Sequence, residues 1–434
     1  MTPAARLSAA IEVLADIAQR RRPAAQALKD WGLSHRFAGS GDRAAIAGLT
    51  YDALRRRASS AWIMGADTPR AVLLGMLRHE RGLDPDAIAK LCDGGRFAPE
   101  PVSDDEHARL RAASLEGAPP HVAGDYPEWL DDKLAAAFGD DRAAEGAALS
   151  SRAPLDLRVN TLKGDRGEAA DGLDEFKPQD TRWSPWGLRI VVAPDAKSPA
   201  IHAEPAFLKG RIEIQDEGSQ LAALLTGARP GEQVIDLCAG AGGKTLALAA
   251  MMQDRGQLYA TDSDKRRLAP IHERLERSGA RNVQVRTPRG DAEILSDLTG
   301  HTDLVLIDAP CTGTGAWRRN PDAKWRVRPG ALAERLKDQA ETLDRAVPLV
   351  KRGGRIAYVT CSVLDDENGA QVKAFVARHP QFSVQPPAEV MTQALGERAF
   401  LFRRAVLLSD HGLLMTPRRT DTDGFFVSLL SRTG

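Results

Sequence analysis

From about residue 207 onward the chain keeps one rhythm: an apolar run of strand length, a glycine-rich turn, then a helical stretch. The strand candidates are QVIDLCAG, GQLYATDSD, NVQVRT, TDLVLIDAPC and GRIAYVTCS. This alternation leaves few folds open, because parallel strands need long crossovers and helices supply them. It predicts an α/β fold, a doubly wound and mostly parallel sheet. Two later candidates, GLLMTP and GFFVSLLSR, are expected to finish the sheet as an antiparallel pair. Open sheets of this class bind ligands beyond the carboxyl ends of their strands. The residues just past each apolar run are therefore where chemistry is expected.

With 434 residues the chain is too long for one core. Residues 1–92 read as helices throughout, and 93–125, rich in Gly, Pro and acids, as a linker with at most one short helix. Residues 126–206 read as a small mixed α/β segment, and 207–434 as the large sheet domain. At the start, Leu7, Ile11, Leu14 and Ile17 recur at helical spacing around Glu12 and Asp16, which predicts a core helix and no leader. No apolar run reaches the roughly 18 residues of a membrane span. Lys plus Arg and Asp plus Glu balance at 59 each, so any nucleic-acid footprint must be local. The four cysteines, Cys92, Cys238, Cys311 and Cys361, form no CxxC pair. Neither a zinc site nor a disulfide framework is expected, and the thiols suit a reducing cytoplasm.

DLCAGAGGKT, residues 236–245, passes from a strand through a glycine turn into a helix. Three ligand classes compete for such a turn. A phosphate loop fits Gly243, Lys244 and Thr245 but finds Cys238 at its first glycine position. A dinucleotide turn fits Gly240 and Gly242 but finds Thr245 at its last. An S-adenosylmethionine pocket fits best, because Asp262 in YATDSD stands where an acid would bind the ribose hydroxyls. Further on, LVLIDAPCTGTGAWRRNPDAKWR brings Asp308 to a strand end and Cys311 to the loop after it. Arg318, Arg319, Lys324, Arg326 and Arg328 follow, interleaved with Trp317 and Trp325, a pattern that suits phosphates and unpaired bases. VTCSVLDDEN puts Cys361 at the end of another strand. A methyl donor beside a nucleic acid gives these thiols a role. Carbon 5 of cytosine becomes nucleophilic once a thiolate has added to carbon 6, and the adduct then needs an acid and a base. Cys361, Asp308 and Cys311 can supply these parts, with Cys361 placed for attack. A nucleophile of the Pro-Cys kind, as in DNA enzymes, would instead select Cys311.

In this order and spacing, DLCAGAGGKT, ATDSD, LIDAPCTGTG with RRNPDAKW, and VTCSVLDDEN resemble the RNA cytosine carbon-5 methyltransferases of the RsmB/Sun/NOP family. RVNTLKG, IQDEGSQLAALL and TDTDGFF also fall where that family has motifs, so the resemblance spans residues 126–434. DRAAIAGLTYDALRRR resembles the NusB-like RNA-binding domain of bacterial members. The resemblance implies a class I methyltransferase fold. It implies S-adenosylmethionine bound by Cys238, Ala239, Gly240, Ala241, Gly242, Gly243, Lys244, Asp262 and Asp308, with Asp291 as the acid that meets the adenine. It implies that Cys361 attacks, Cys311 assists release, Asp308 orients the cytosine and Lys244 lies within reach of the base or the donor. The implied partner is structured RNA, ribosomal or else transfer RNA, contacted by Arg318, Arg319, Lys324 and Arg326. A cytoplasmic monomer with no metal and no membrane anchor is expected. Gly240 and Ala241 replace the family's usual Ala-Pro, which predicts a looser donor loop. That departure motivates the alternative of a non-catalytic RNA-binding assembly factor.

Overall fold

The computed structural model describes residues 1–192, 199–288 and 294–433. The chain divides into two compact units. The first comprises Met1–Arg152 and a later return, Trp317–Arg328. Its opening helix, Pro3–Arg20, starts at Thr2, whose side chain accepts from Ala5 N at 3.2 Å, and it buries Leu7, Leu14 and Ile17 as the spacing predicts, with Ile11 half-buried and Val13 buried in addition. Five more helices follow to Leu91, and the helix Pro69–His79 runs through the middle of their core, with Leu73, Leu74 and Met76 wholly buried.

The expected linker is not one. Residues 103–123 hold two helices, Asp104–Arg111 and Pro120–Ala123, and the first is closed by a reciprocal cap between Ser103 and Glu106. Leu110 is fully buried in the same core as Leu7 and Leu74. One apolar anchor per helix leaves no periodicity to read, whereas the Gly, Pro and acids around it dominate the composition. The helices Asp131–Phe138 and Arg142–Leu149 also fall in this compact unit, which runs to Arg152.

The second unit holds two sheets. Strands β1 (Leu155–Val159), β2 (Gln179–Asp180), β3 (Gly187–Ile190) and β4 (Ile212–Ile214) form an antiparallel sheet in the order β2-β3-β1-β4. Asn160, in the RVNT stretch after β1, donates to the carbonyls of Gly210 and Ser278 at 2.9 Å each and so ties this sheet to the helix Ile271–Ser278.

The larger sheet contains β5 (Gln233–Asp236), β6 (Gln257–Ala260), β7 (Val283–Val285), β8 (Thr302–Asp308), β9 (Val350–Thr360), β10 (Phe382–Val384), β11 (Leu407–Ser409), β12 (Gly412–Met415) and β13 (Phe425–Arg432). Its order is β11-β12-β13-β9-β8-β5-β6-β7, with β10 beside β13. Strands β5 to β9 are parallel to one another, and β12 and β13 close the sheet antiparallel, as the sequence predicts. Val234, Leu258, Leu304, Leu306, Ala357 and Val359 are wholly buried between helical layers, which is why these strands read as unbroken apolar runs. Each large side chain so buried contributes about 1.5–3 kcal/mol. The chain order reverses between β5 and β8, and a crevice at such a switch point is the preferred ligand position.

Candidate active site

Of the predicted site residues, the Cys238–Lys244 loop, Asp262, Asp308, Cys311 and Cys361 follow the ends of four neighbouring strands around this switch point. The loop after β5 enters the helix Gly243–Met251 through Gly242, which has φ +86°; a Cβ there would stand 2.5 Å from the Ile271 side chain. Gly240 also adopts a left-handed φ of +50°, and its N–H donates to Asp262 Oδ2 at 2.9 Å. Ala241 offers its carbonyl to Arg274 Nη1 at 2.9 Å, and Glu213 on β4 holds that guanidinium at 2.9 Å. Both positions that depart from the Ala-Pro pattern are therefore tied down. Asp262 is 3% exposed just past β6 and takes a second backbone bond from Asp264 N at 2.9 Å. Glycines that admit a ligand close to the backbone, and a carboxylate held at the next strand end, fit the donor implied above.

Beneath the loop lies Asp236, wholly buried, with Oδ2 accepting from Thr245 Oγ1 at 2.7 Å and Oδ1 without a partner. Burial first, and the nearby Asp308 charge after it, pushes its carboxyl up to about 7. Lys244 Nζ donates to Asp308 Oδ2 at 2.7 Å and lies 4.9 Å from the centre of the Phe425 ring. Asp308, at the end of β8, keeps a side chain 34% exposed, so one carboxylate is both anchored and reachable.

The two cysteines meet. Cys311 Sγ and Cys361 Sγ lie 3.4 Å apart, at the ends of the adjacent strands β8 and β9. Their loops are stitched together by Gly315 N to the Cys361 carbonyl at 2.9 Å and Val363 N to Thr314 Oγ1 at 2.9 Å. Gly315 also touches the residue just before β13: Gly424 N donates to its carbonyl at 2.8 Å, and a Cβ on Gly315 would lie 2.1 Å from the Gly424 oxygen. The Cys361 hydrogen bond, then burial, raises the Cys311 thiol well above its ordinary range. Burial also pushes up the Cys238 thiol.

The basic loop after Cys311 behaves differently from the expectation. Lys324 is wholly buried, with Nζ donating to the Arg55 carbonyl and to Ser150 Oγ at 2.7 Å each, and burial lowers it to about 7. Arg318 is 1% exposed, and its carbonyl accepts from Arg55 Nη1 at 2.6 Å. Trp317 is buried, and Trp325 donates its indole N–H to the Leu54 carbonyl at 2.6 Å. Lys324 and Trp325 are thus held by groups of the first unit, and Trp317 and Arg318 are buried beside them, which places Lys324 and Arg318 away from solvent. A sequence shows the cations but not the carbonyls that take them in. Arg319 is half-buried, and Arg326 is exposed beside Asp322 at 3.0 Å. Asp291 lies outside the described residues.

The sequence reading missed Asp236, Thr245, Arg274 and, above all, Glu367, a fully buried carboxylate within VTCSVLDDEN. Its acidic run reads as a helix start, and the one signal against that was its place a few residues after Cys361. Among the described residues no cluster of three His, Cys, Asp or Glu could hold a metal, and no helix is long and apolar enough to cross a membrane.

Two family models match the sequence: 16S rRNA methyltransferase RsmB/F over residues 223–431, and the ferredoxin-like domain of RsmF/B-like methyltransferases over 126–196. A Synechocystis sp. protein named probable ribosomal RNA small subunit methyltransferase B is 31% identical over 310 residues, covering 71% of this chain and 67% of its own length. The ribosomal RNA small subunit methyltransferase B of Shigella sonnei is 35% identical over 259 residues, 58% of each chain. The present chain thus spans between 58% and 67% of the length of these two relatives. Among solved structures, PH0851 superposes with a TM-score of 0.70 at 24% identity over 99% of both chains. NSun6 from Pyrococcus horikoshii superposes with a TM-score of 0.59 at 20% identity, over 71% of this chain and 98% of its own. Likeness at that identity establishes the shared fold.

Proposed function

The chain belongs to the RsmB/F family of rRNA methyltransferases, and on that premise we propose that it methylates carbon 5 of a cytosine in ribosomal RNA through a covalent adduct on Cys361. The observation that carries this reading is the 3.4 Å approach of two thiols beside Asp308 at the sheet's switch point. When bound, S-adenosylmethionine supplies an electrophilic methyl group; Asp262 and the loop from Cys238 to Gly243 would hold it.

Cys361, as the thiolate, adds to carbon 6, and the electron pair of the 5,6 double bond moves to carbon 5. Carbon 5 then takes the methyl group. Asp308, fixed by Lys244, is exposed enough to hydrogen-bond the Watson–Crick edge and hold the ring against both thiols. Product forms when a base removes the carbon-5 proton and the returning pair expels Cys361. Cys311 suits that late step. The largest cause of its raised pKa is the hydrogen bond to Cys361, and alkylation of Cys361 removes it. Alkylation of Cys361 therefore lifts the largest of the causes that hold the Cys311 proton, while burial remains, and Cys311 is assigned to assist the release step.

Labelled donor incubated with small-subunit rRNA and, separately, with tRNA tests the reading. Nucleoside digests should give labelled 5-methylcytidine from the rRNA. Label on another atom, or only in tRNA, would overturn it.

A further inference from the structure

Glu367 ends the one-turn helix Asp365–Glu367 and has no exposed surface. Its Oε1 accepts from Thr312 N at 2.8 Å and Gln339 Nε2 at 3.0 Å; its Oε2 accepts from Thr312 Oγ1 and Ser362 Oγ at 2.5 Å each. Thr312 directly follows Cys311, and Ser362 directly follows Cys361. Gln339, itself fully buried, also donates to the carbonyl of Pro310 at 3.0 Å, so the Cys311 loop is gripped on both sides of its thiol. From the strand below, Tyr358 donates to the Glu367 carbonyl at 2.7 Å.

A carboxylate removed from water loses several kcal/mol of solvation, which only good hydrogen bonds or a cation can offset. The four donors named here are neutral, and three of them come from the two residues next to the cysteines. An apolar side chain would fill the same volume without that desolvation. What it would lack is a common acceptor for both loops. We infer that Glu367 is a positioning residue whose carboxylate locks the Cys311 and Cys361 loops into one body, so that both thiols meet the same base. Thiol chemistry of the proposed kind is sensitive to this, since a misplacement near 1 Å costs on the order of 100-fold. The methylation reading defines what the loops are for; the locking itself can be measured without it.

The thiols can report their own separation. Diamide oxidises two nearby thiols to a disulfide: the pair loses two electrons and two protons, and the N=N bond of the reagent is reduced to the hydrazine. In the full-length protein, Cys311–Cys361 coupling should be fast, and about tenfold or more slower in Glu367→Ala. Glu367→Gln, whose amide can accept from Thr312 N and donate to both hydroxyls, should restore coupling to within roughly threefold. Thr312→Val, which removes one bond and keeps the rest, should slow it by a few fold and serves if the alanine variant does not fold. In a Cys311→Ala background the same Glu367 variants should change RNA adduct formation in the same order, while donor affinity stays within about twofold, because Asp262 is on another loop. Wild-type coupling rates in Glu367→Ala, or in Thr312→Val where the former does not fold, would overturn the inference. So would a Glu367→Gln variant as slow as alanine, since charge rather than position would then be at work. Failure of every variant to trap RNA would count against the methylation reading alone and leave the diamide rates to decide.

Discussion

Asp262 and Asp236 carry the same side chain in opposite surroundings, and the contrast predicts opposite behaviour. Asp262 accepts two backbone N–H bonds at a strand end, where a ribose can approach. Asp262→Ala should weaken S-adenosylmethionine binding by about 2 kcal/mol, roughly 30-fold, in a calorimetric titration; unchanged affinity would take the residue out of the site. Asp236 is sealed beneath the loop with one oxygen unpartnered, and burial pushes it up to about 7. A carboxyl raised from its unfolded value near 4 binds its proton more tightly when folded, so it costs stability as pH rises from about 4 to 7. Asp236→Asn should therefore gain on the wild type across that window, by up to about 1.4 kcal/mol per pH unit. Denaturant melts at pH 4.5 and 7 measure it, and a constant difference would refute the assignment. Asp262 was legible because its role follows from its place after a strand. Asp236 and Glu367 were not, because a buried acid is defined by its donors, and those lie elsewhere in the sequence.

At the scale of elements, the strands were legible and the ties between loops were not. The central strands β5, β8 and β9 bury residues on both faces, so they appear as apolar runs, whereas the edge strand β7 leaves Gln284 exposed. Strands β10 and β11 are three residues each and offer too little pattern. The segment 93–125 was misread because Leu110 and Val122 are lone anchors among polar residues. The approach of Gly315 to Gly424, which sets the Cys311 loop against β13, needs two glycines 109 positions apart to lack side chains. Gly315→Ala would place a methyl 2.1 Å from the Gly424 oxygen. It should cost about 1–3 kcal/mol in a thermal melt, as overpacking does, and reduce adduct formation with it. Normal melting with a normal adduct would mean that this approach is not needed.

At the scale of the whole molecule, the balanced charge required any RNA footprint to be local, and the burial of Arg318 and Lys324 narrows it further. Lys324 is spent inside the first unit, so any phosphate contact from this loop would fall to its less buried cations, Arg319 and Arg326 among them. Replacing both by alanine should lower the slope of log affinity against log salt by about 1.4, using the single-strand coefficient. The slope is read from filter binding between 50 and about 200 mM salt, the range over which such contacts weaken most visibly. An unchanged slope would place the footprint on another surface.

The division of labour between the two thiols is the central claim, and trapping tests it most directly. Purified Cys311→Ala protein, mixed with small-subunit rRNA and S-adenosylmethionine, should attack and transfer methyl, then stall before elimination. Protein and RNA should migrate together as a shifted band on denaturing electrophoresis. Cys361→Ala and the double variant should give no such band and no 5-methylcytidine. The reverse pattern, with the band lost in Cys311→Ala and retained activity in Cys361→Ala, would contradict the account and make Cys311 the nucleophile.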